Sequence, residues 1–142
     1  MFGLNNKLDT EWLGSVAFFE GFSSSELAKV AALGERIDVD AGTELIDQGR
    51  VGDECYVIVE GSAAIHMQNE YITSVSPGSM VGEMALVEFR PRNATVTAET
   101  DMVLVRFGIT DFRKLLSASA TTHDRVMALL RERLAANEQR SR

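Results

Sequence analysis

Cysteine and histidine are almost missing from this chain of 142 residues, which has one cysteine, Cys55, and two histidines, His66 and His123. A single cysteine excludes an internal disulfide framework and suits a reducing compartment. Two histidines far apart in sequence, one in a strand pattern and one near a predicted helix start, do not make a metal centre or a catalytic dyad. Cys55 lies in an apolar run, where a core thiol is expected rather than a nucleophile. Basic charge is also scarce. Fourteen Lys and Arg stand against 21 Asp and Glu, a formal net charge of −7, which argues against general nucleic-acid affinity because that depends on neutralising phosphates. The late basic residues Arg125, Arg131, Arg133, Arg140 and Arg142 are interrupted by Glu132 and Glu138 and read as a solvated helix face. No run of 18 apolar residues offers a membrane span. Met1-Phe2-Gly3-Leu4-Asn5-Asn6-Lys7 lacks the basic start and apolar core of a signal peptide, so a cytoplasmic location is expected.

What is present is a composition of 45% hydrophobic and 25% charged residues, that of a globular domain able to bury a core without staples. The chain reads as one domain, 1–142, in three zones. Residues 8–36 have helical spacing, with Leu13, Val16 and Ala17, then Leu27, Val30, Ala31 and Leu33. Ser23 and Glu26 have the capping-box form, and Phe18, Phe19 and Phe22 read as packing anchors between two helices. Residues 37–107 read as short strands and turns: Ile37 to Val39, Cys55 to Val59, Ser62 to Met67, a tip at Gln68-Asn69-Glu70, Tyr71 to Val75, Thr95 to Thr100 and Val103 to Phe107. Strands at that spacing indicate a sandwich or barrel rather than a parallel sheet. Residues 110–138 return to helix, with Thr110-Asp111 suiting an N-cap and a longer helix from about Thr122 carrying the stripe Val126, Leu129, Leu130 and Leu134.

One segment interrupts the strand zone. Gly82-Glu83-Met84-Ala85-Leu86 reads as a short helical turn, and Arg90-Pro91-Arg92-Asn93-Ala94-Thr95-Val96 follows it. Amides at the start of a helix attract phosphate. Gly82 has no Cβ to block an approach, and Ala85 is small. Arg92 offers a planar guanidinium for a charge-assisted phosphate contact, and Asn93 can add its backbone N–H. An ionised Glu83 only accepts hydrogen bonds, so it serves a sugar hydroxyl or pairs with an arginine.

The order Gly-Glu-x-Ala-Leu, six residues, then Arg-x-Ala-Thr-Val resembles the phosphate-binding cassette of cyclic nucleotide-binding domains. Further matching motifs are Phe19-Glu20-Gly21-Phe22-Ser23, Ala41-Gly42-Thr43, Gln48-Gly49 and Tyr56-Val57-Ile58-Val59-Glu60-Gly61, so the resemblance covers about residues 15–135. It is similar to the cAMP-binding domains of protein kinase regulatory subunits, bacterial cyclic-nucleotide-gated channels and the catabolite activator protein. The resemblance implies a mainly β fold, an antiparallel, jelly-roll-like β-roll of about eight strands with N-terminal helices and a C-terminal lid helix. It implies a cyclic nucleotide as ligand rather than a cofactor. Glu83 would bind the ribose 2′-OH and Arg92 the cyclic phosphate, with Gly82, Met84, Ala85 and Asn93 giving backbone contacts.

Val81 departs from the family's usual Phe, and Asn93 from its usual Ala, Ser or Thr. The expected ligand is cAMP, with cGMP the alternative that Asn93 leaves open. The expectation is a non-enzymatic sensor that shifts its C-terminal helix on binding and signals to an unidentified effector protein. That helix could also pair two subunits, and Arg131 or Arg133 could stack on the purine. The chain stops at Arg142, where a helix-turn-helix domain would need dozens more residues, so the expectation is either a stand-alone sensor without a DNA-binding domain, which Met1 and the short head before the first helix favour, or one domain of a larger protein. Two other readings compete: a degenerate β-roll that binds protein instead of nucleotide, and a metal-dependent cupin-like enzyme, which would need a His and carboxylate cluster.

Overall fold

The computed structural model describes residues 8–47, 53–82 and 94–140, the last stretch by its helical main chain alone at positions 133, 134 and 136–140. Three helical pieces open it: α1 (Thr10–Gly14), a 3-10 turn (Ala17–Phe19) and α2 (Ser24–Leu33). Eight strands follow, β1 (Glu35–Val39), β2 (Glu44–Ile46), β3 (Glu54–Glu60), β4 (Ala63–Met67), β5 (Glu70–Val75), β6 (Met80–Val81), β7 (Thr95–Ala98) and β8 (Met102–Gly108). Two helices close the chain, α3 (Ile109–Ala118) and α4 (Ala120–Arg140).

The strands form two antiparallel four-stranded sheets, ordered β1-β8-β3-β6 and β2-β7-β4-β5. Side chains alternate across a strand, and this alternation builds two cores from one sheet. On β3 and β8, Tyr56, Ile58, Met102 and Leu104 face the second sheet and pack with Ile46, Ala63, Val96 and Ala98. The alternate residues Cys55, Val57, Val105 and Phe107 face outward and pack under the helices with Leu13, Phe18, Phe19, Val30, Phe112, Leu115 and Val126. Phe18, Phe19 and Phe22 meet edge to face, with centroids 5.4 and 5.3 Å apart, a favoured aromatic geometry. The expected packing role of these rings and of Cys55 is what the fold shows. The mainly β, helix-flanked roll expected from the sequence is likewise the observed architecture.

Local chemistry sets the element ends. Ser23 and Glu26 form the reciprocal capping box at the start of α2. At the β4–β5 tip, Gln68 and Asn69 both adopt positive φ, 51° and 67°, as a two-residue hairpin turn with matching twist demands. Arg36 pairs with Asp38 and lies 5.0 Å over the Trp12 ring, fastening α1 to β1. Gly61 has φ +87°, and a Cβ there would lie 2.4 Å from the Asp101 carbonyl oxygen.

Several sequence boundaries need correction. Strand β1 starts at Glu35, because Arg106 pairs with Glu35 from the neighbouring strand. β2 and β6, three and two residues long, escaped the alternation pattern. Helix α3 is entered directly from β8, so Gly108, not Thr110, holds the cap position, and the Ile109 amide is satisfied by the Asp53 carbonyl at 2.7 Å. Helix α4 starts at Ala120 rather than Thr122 because Ser119 stands before it, its Oγ accepting from the Thr122 amide at 3.2 Å.

Candidate functional site

Of the six residues singled out for the cassette, Gly82 alone is described; Glu83, Met84, Ala85, Arg92 and Asn93 lie outside the described residues. The two margins of the segment are fixed. On the near side Val81 pairs with Tyr56 on β3, is 2% exposed and belongs to the core between the sheets. Gly82 follows with φ +89°, a left-handed conformation that favours glycine, so its place in the motif has a backbone reason. On the far side Ala94 is buried and leads into β7, whose Val96 packs in the same core as Val81. β6, before this segment, is an edge strand of one sheet, and β7, after it, is an inner strand of the other.

Val81 and Val96 pack there with the apolar Ile58, Ala63 and Leu104, and a charged cluster stands farther along β8. Arg106, two residues on from Leu104 and so on the same face of β8, has Glu35 and Glu54 beside it. Its Nε donates to Glu35 Oε1 at 2.6 Å, its second nitrogen contacts the same oxygen, and Glu54 Oε2 lies 3.3 Å from Nε. Burial works to lower the Arg106 pKa, and the hydrogen bond and charge of Glu35, with Glu54, outweigh it and raise the value above the ordinary one. Sequence reading missed this cluster. Its signal was a charged residue in phase with the apolar positions of β8.

The predicted C-terminal stripe divides. Val126 and Leu130 are buried, and Leu129 and Met127 partly so, all in the core on the outer face of the first sheet, under the N-terminal helices. The side chain of Leu134 lies outside the described residues, as does that of Arg133, and Arg131 is exposed. Arg125, on the same helix, stacks on a ring of the protein itself. Its guanidinium lies 5.3 Å over Phe22 and donates to the Phe18 carbonyl.

His66 and His123 stand on β4 and α4, and Cys55 is fully buried. Among the described residues no group of three or more His, Cys, Asp or Glu side chains could hold a metal ion. No described helix is long and apolar enough to cross a membrane.

A family model described as the cyclic nucleotide-binding domain matches residues 36–119, well over half of the chain. Among solved structures, a cyclic nucleotide-binding-like protein from Brucella abortus is 33% identical with a TM-score of 0.60, covering 77% of this chain and 97% of that one. The regulatory domain of Toxoplasma gondii PKA with cAMP is 26% identical with a TM-score of 0.70, over 89% of this chain and 48% of that one. A mutant of a cAMP-binding acyltransferase from Mycobacterium smegmatis is 27% identical with a TM-score of 0.75, over 89% of this chain and 41% of that one. The chain thus spans less than half the length of several of the structures it matches.

Proposed function

Since the chain belongs to the cyclic nucleotide-binding domain family, we propose that it is a non-catalytic regulatory module that binds a cyclic nucleotide, with cAMP as ligand. The single observation that carries this reading is the family match over residues 36–119, a span that includes the whole cassette. It is supported by two similar structures described as cAMP-bound or cAMP-binding. In this reading Arg92 meets the cyclic phosphate through charge-assisted hydrogen bonds. Glu83 accepts from the ribose 2′-OH, which a carboxylate does without competing for the phosphate. Gly82, Met84, Ala85 and Asn93 contribute backbone groups, helped by the left-handed conformation of Gly82. The side chain of Asn93 is the position at which cGMP could compete.

Ligand binding would then bias the position of α4, a two-state element read by an effector protein in the cytoplasm. A homodimer through α4 belongs to the same reading. Calorimetry with cAMP and cGMP tests the ligand. Saturable binding is expected, with cAMP tighter, and Arg92→Ala should lose at least about tenfold in affinity, as removal of a charged hydrogen-bond partner does. No heat at millimolar nucleotide, or unchanged affinity in Arg92→Ala, would point to a β-roll that has turned to binding protein. Size-exclusion chromatography with and without nucleotide reads the oligomeric state.

A further inference from the structure

Two aliphatic hydroxyl side chains are buried among the described residues, Ser119 at 2% and Thr122 at 0% exposure, and they stand together at the corner between α3 and α4. Buried hydroxyls need partners, and these have one from far away in the chain. Ser119 Oγ donates to Glu26 Oε2 at 2.5 Å and accepts from the Thr122 amide at 3.2 Å and the Thr122 hydroxyl at 2.9 Å. The other Glu26 oxygen accepts from the Ser23 amide at 3.0 Å, while Ser23 Oγ accepts from the Glu26 amide at 3.2 Å. One carboxylate therefore closes the N-terminal cap of α2 and, through Ser119, the N-terminal cap of α4. Two further bonds run the same way. Lys29 Nζ donates to the Ala118 carbonyl at 2.9 Å, and Arg125 donates to the Phe18 carbonyl.

We propose that Glu26 is a positioning residue that latches the α3–α4 corner to α2, so that the first turns of α4 belong mechanically to the N-terminal helical layer. A helix that pivots at a corner needs its first-turn amides and the preceding hydroxyl to exchange partners cheaply. Here the buried Ser119 hydroxyl donates to a charged acceptor, in a bond roughly twice as strong as a neutral one, and Ser119 Oγ in turn holds the Thr122 amide. The corner is thereby a fixed point, and displacement of α4 at its start requires the Ser119–Glu26 bond to open. That this regulates the nucleotide site rests on the reading given above.

Two arms test it. The first uses the nucleotide-free protein and hydrogen exchange. Ser119→Ala and Glu26→Gln should each speed exchange of the Thr122 to Val126 amides by about tenfold, while β3 and β8 are unchanged, as local opening predicts. The double variant should cost less than the sum of the two single ones, because each acts on the Ser119–Glu26 bond, one by deleting the donor and the other by neutralising the acceptor. Unchanged exchange at α4, an equal rise throughout the chain, or additive effects would overturn the latch. The second arm titrates cAMP into the parent and Ser119→Ala. A shift of about threefold or more in Kd is expected if opening the corner is linked to binding, and an identical Kd overturns the regulatory link. A parent that binds no cAMP removes the proposed ligand and with it that link, while the exchange arm still decides the latch.

Discussion

Arg106 on β8 and Glu35 on β1 are register partners, and their side chains meet on the face that looks toward the second sheet, with the guanidinium Nε 2.6 Å from Glu35 Oε1 and 3.3 Å from Glu54 Oε2. A cation shared by carboxylates on both flanking strands ties three strands at a place where the neighbouring positions are hydrocarbon. Each member is about one-third exposed, so solvent screens the interaction and its worth stays modest.

Replacing the cation tests that pairing. Arg106→Leu should destabilise the protein by about 1 kcal/mol, because Glu35 and Glu54 then lose the positive charge between them. Glu35→Gln in the same background should recover part of the loss. Urea unfolding of the parent and both variants measures it, and a more stable Arg106→Leu protein would show the cluster to be a cost to the fold.

Acid should act through Glu26. The Ser119 hydroxyl first, then the Ser23 amide, lower its pKa from 4.5 to about 2. A folded value below the unfolded one means that the stabilisation is complete above about 4.5 and is lost as the pH falls toward about 2. The parent should therefore lose stability across that window relative to Glu26→Gln. Denaturant midpoints at about pH 6 and about pH 3 compare them, and parallel curves would assign the acid response to other groups.

Gly61 admits no side chain. With φ +87° and the Asp101 carbonyl 2.4 Å from any added Cβ, Gly61→Ala must bend the β3–β4 turn away from the β7–β8 turn. A loss of about 1–3 kcal/mol is expected, the range for a strained backbone position. Thermal melting reads it directly, and an unchanged midpoint would mean that the two turns separate freely.

Nucleotide should raise thermal stability by mass action. At a hundred times its Kd a ligand adds about 2.7 kcal/mol, which for a domain of this size corresponds to a rise of about 6 °C or more in Tm. Arg92→Ala should abolish most of the rise with cAMP. An equal rise in the variant would remove Arg92 from the phosphate site.

Much of this fold was legible because its signals are local. The Ser23–Glu26 capping box, the alternation of β3 and β8, and the hairpin tip each depend on a few neighbouring residues and are found where the sequence puts them, except that Glu70, expected in the tip, already belongs to β5 and leaves Gln68-Asn69 as the turn. The short strands β2 and β6 carry too few residues for a period. The Ser119–Glu26 bond joins residues 93 apart, and Arg125 meets Phe18 across 107; no local pattern announces such contacts. Gly82 stood out in the sequence for having no Cβ to block an approach, and its φ adds a backbone reason. Arg125, one residue before the buried Val126, stands over Phe22, a contact that helical spacing alone does not reveal.

β3 holds buried residues on both of its faces, with Tyr56 and Ile58 answering to one core and Cys55 and Val57 to the other. In a library that samples every substitution, this strand should tolerate the fewest changes of the chain, since neither polar replacement nor a change of volume has a solvent-facing side to occupy. The edge strand β5 of the other sheet, whose residues are mostly exposed and include the outward Tyr71, should tolerate the most. Sequence diversity for retuning the protein is therefore best introduced on β5, leaving β3 as the invariant backbone of both cores.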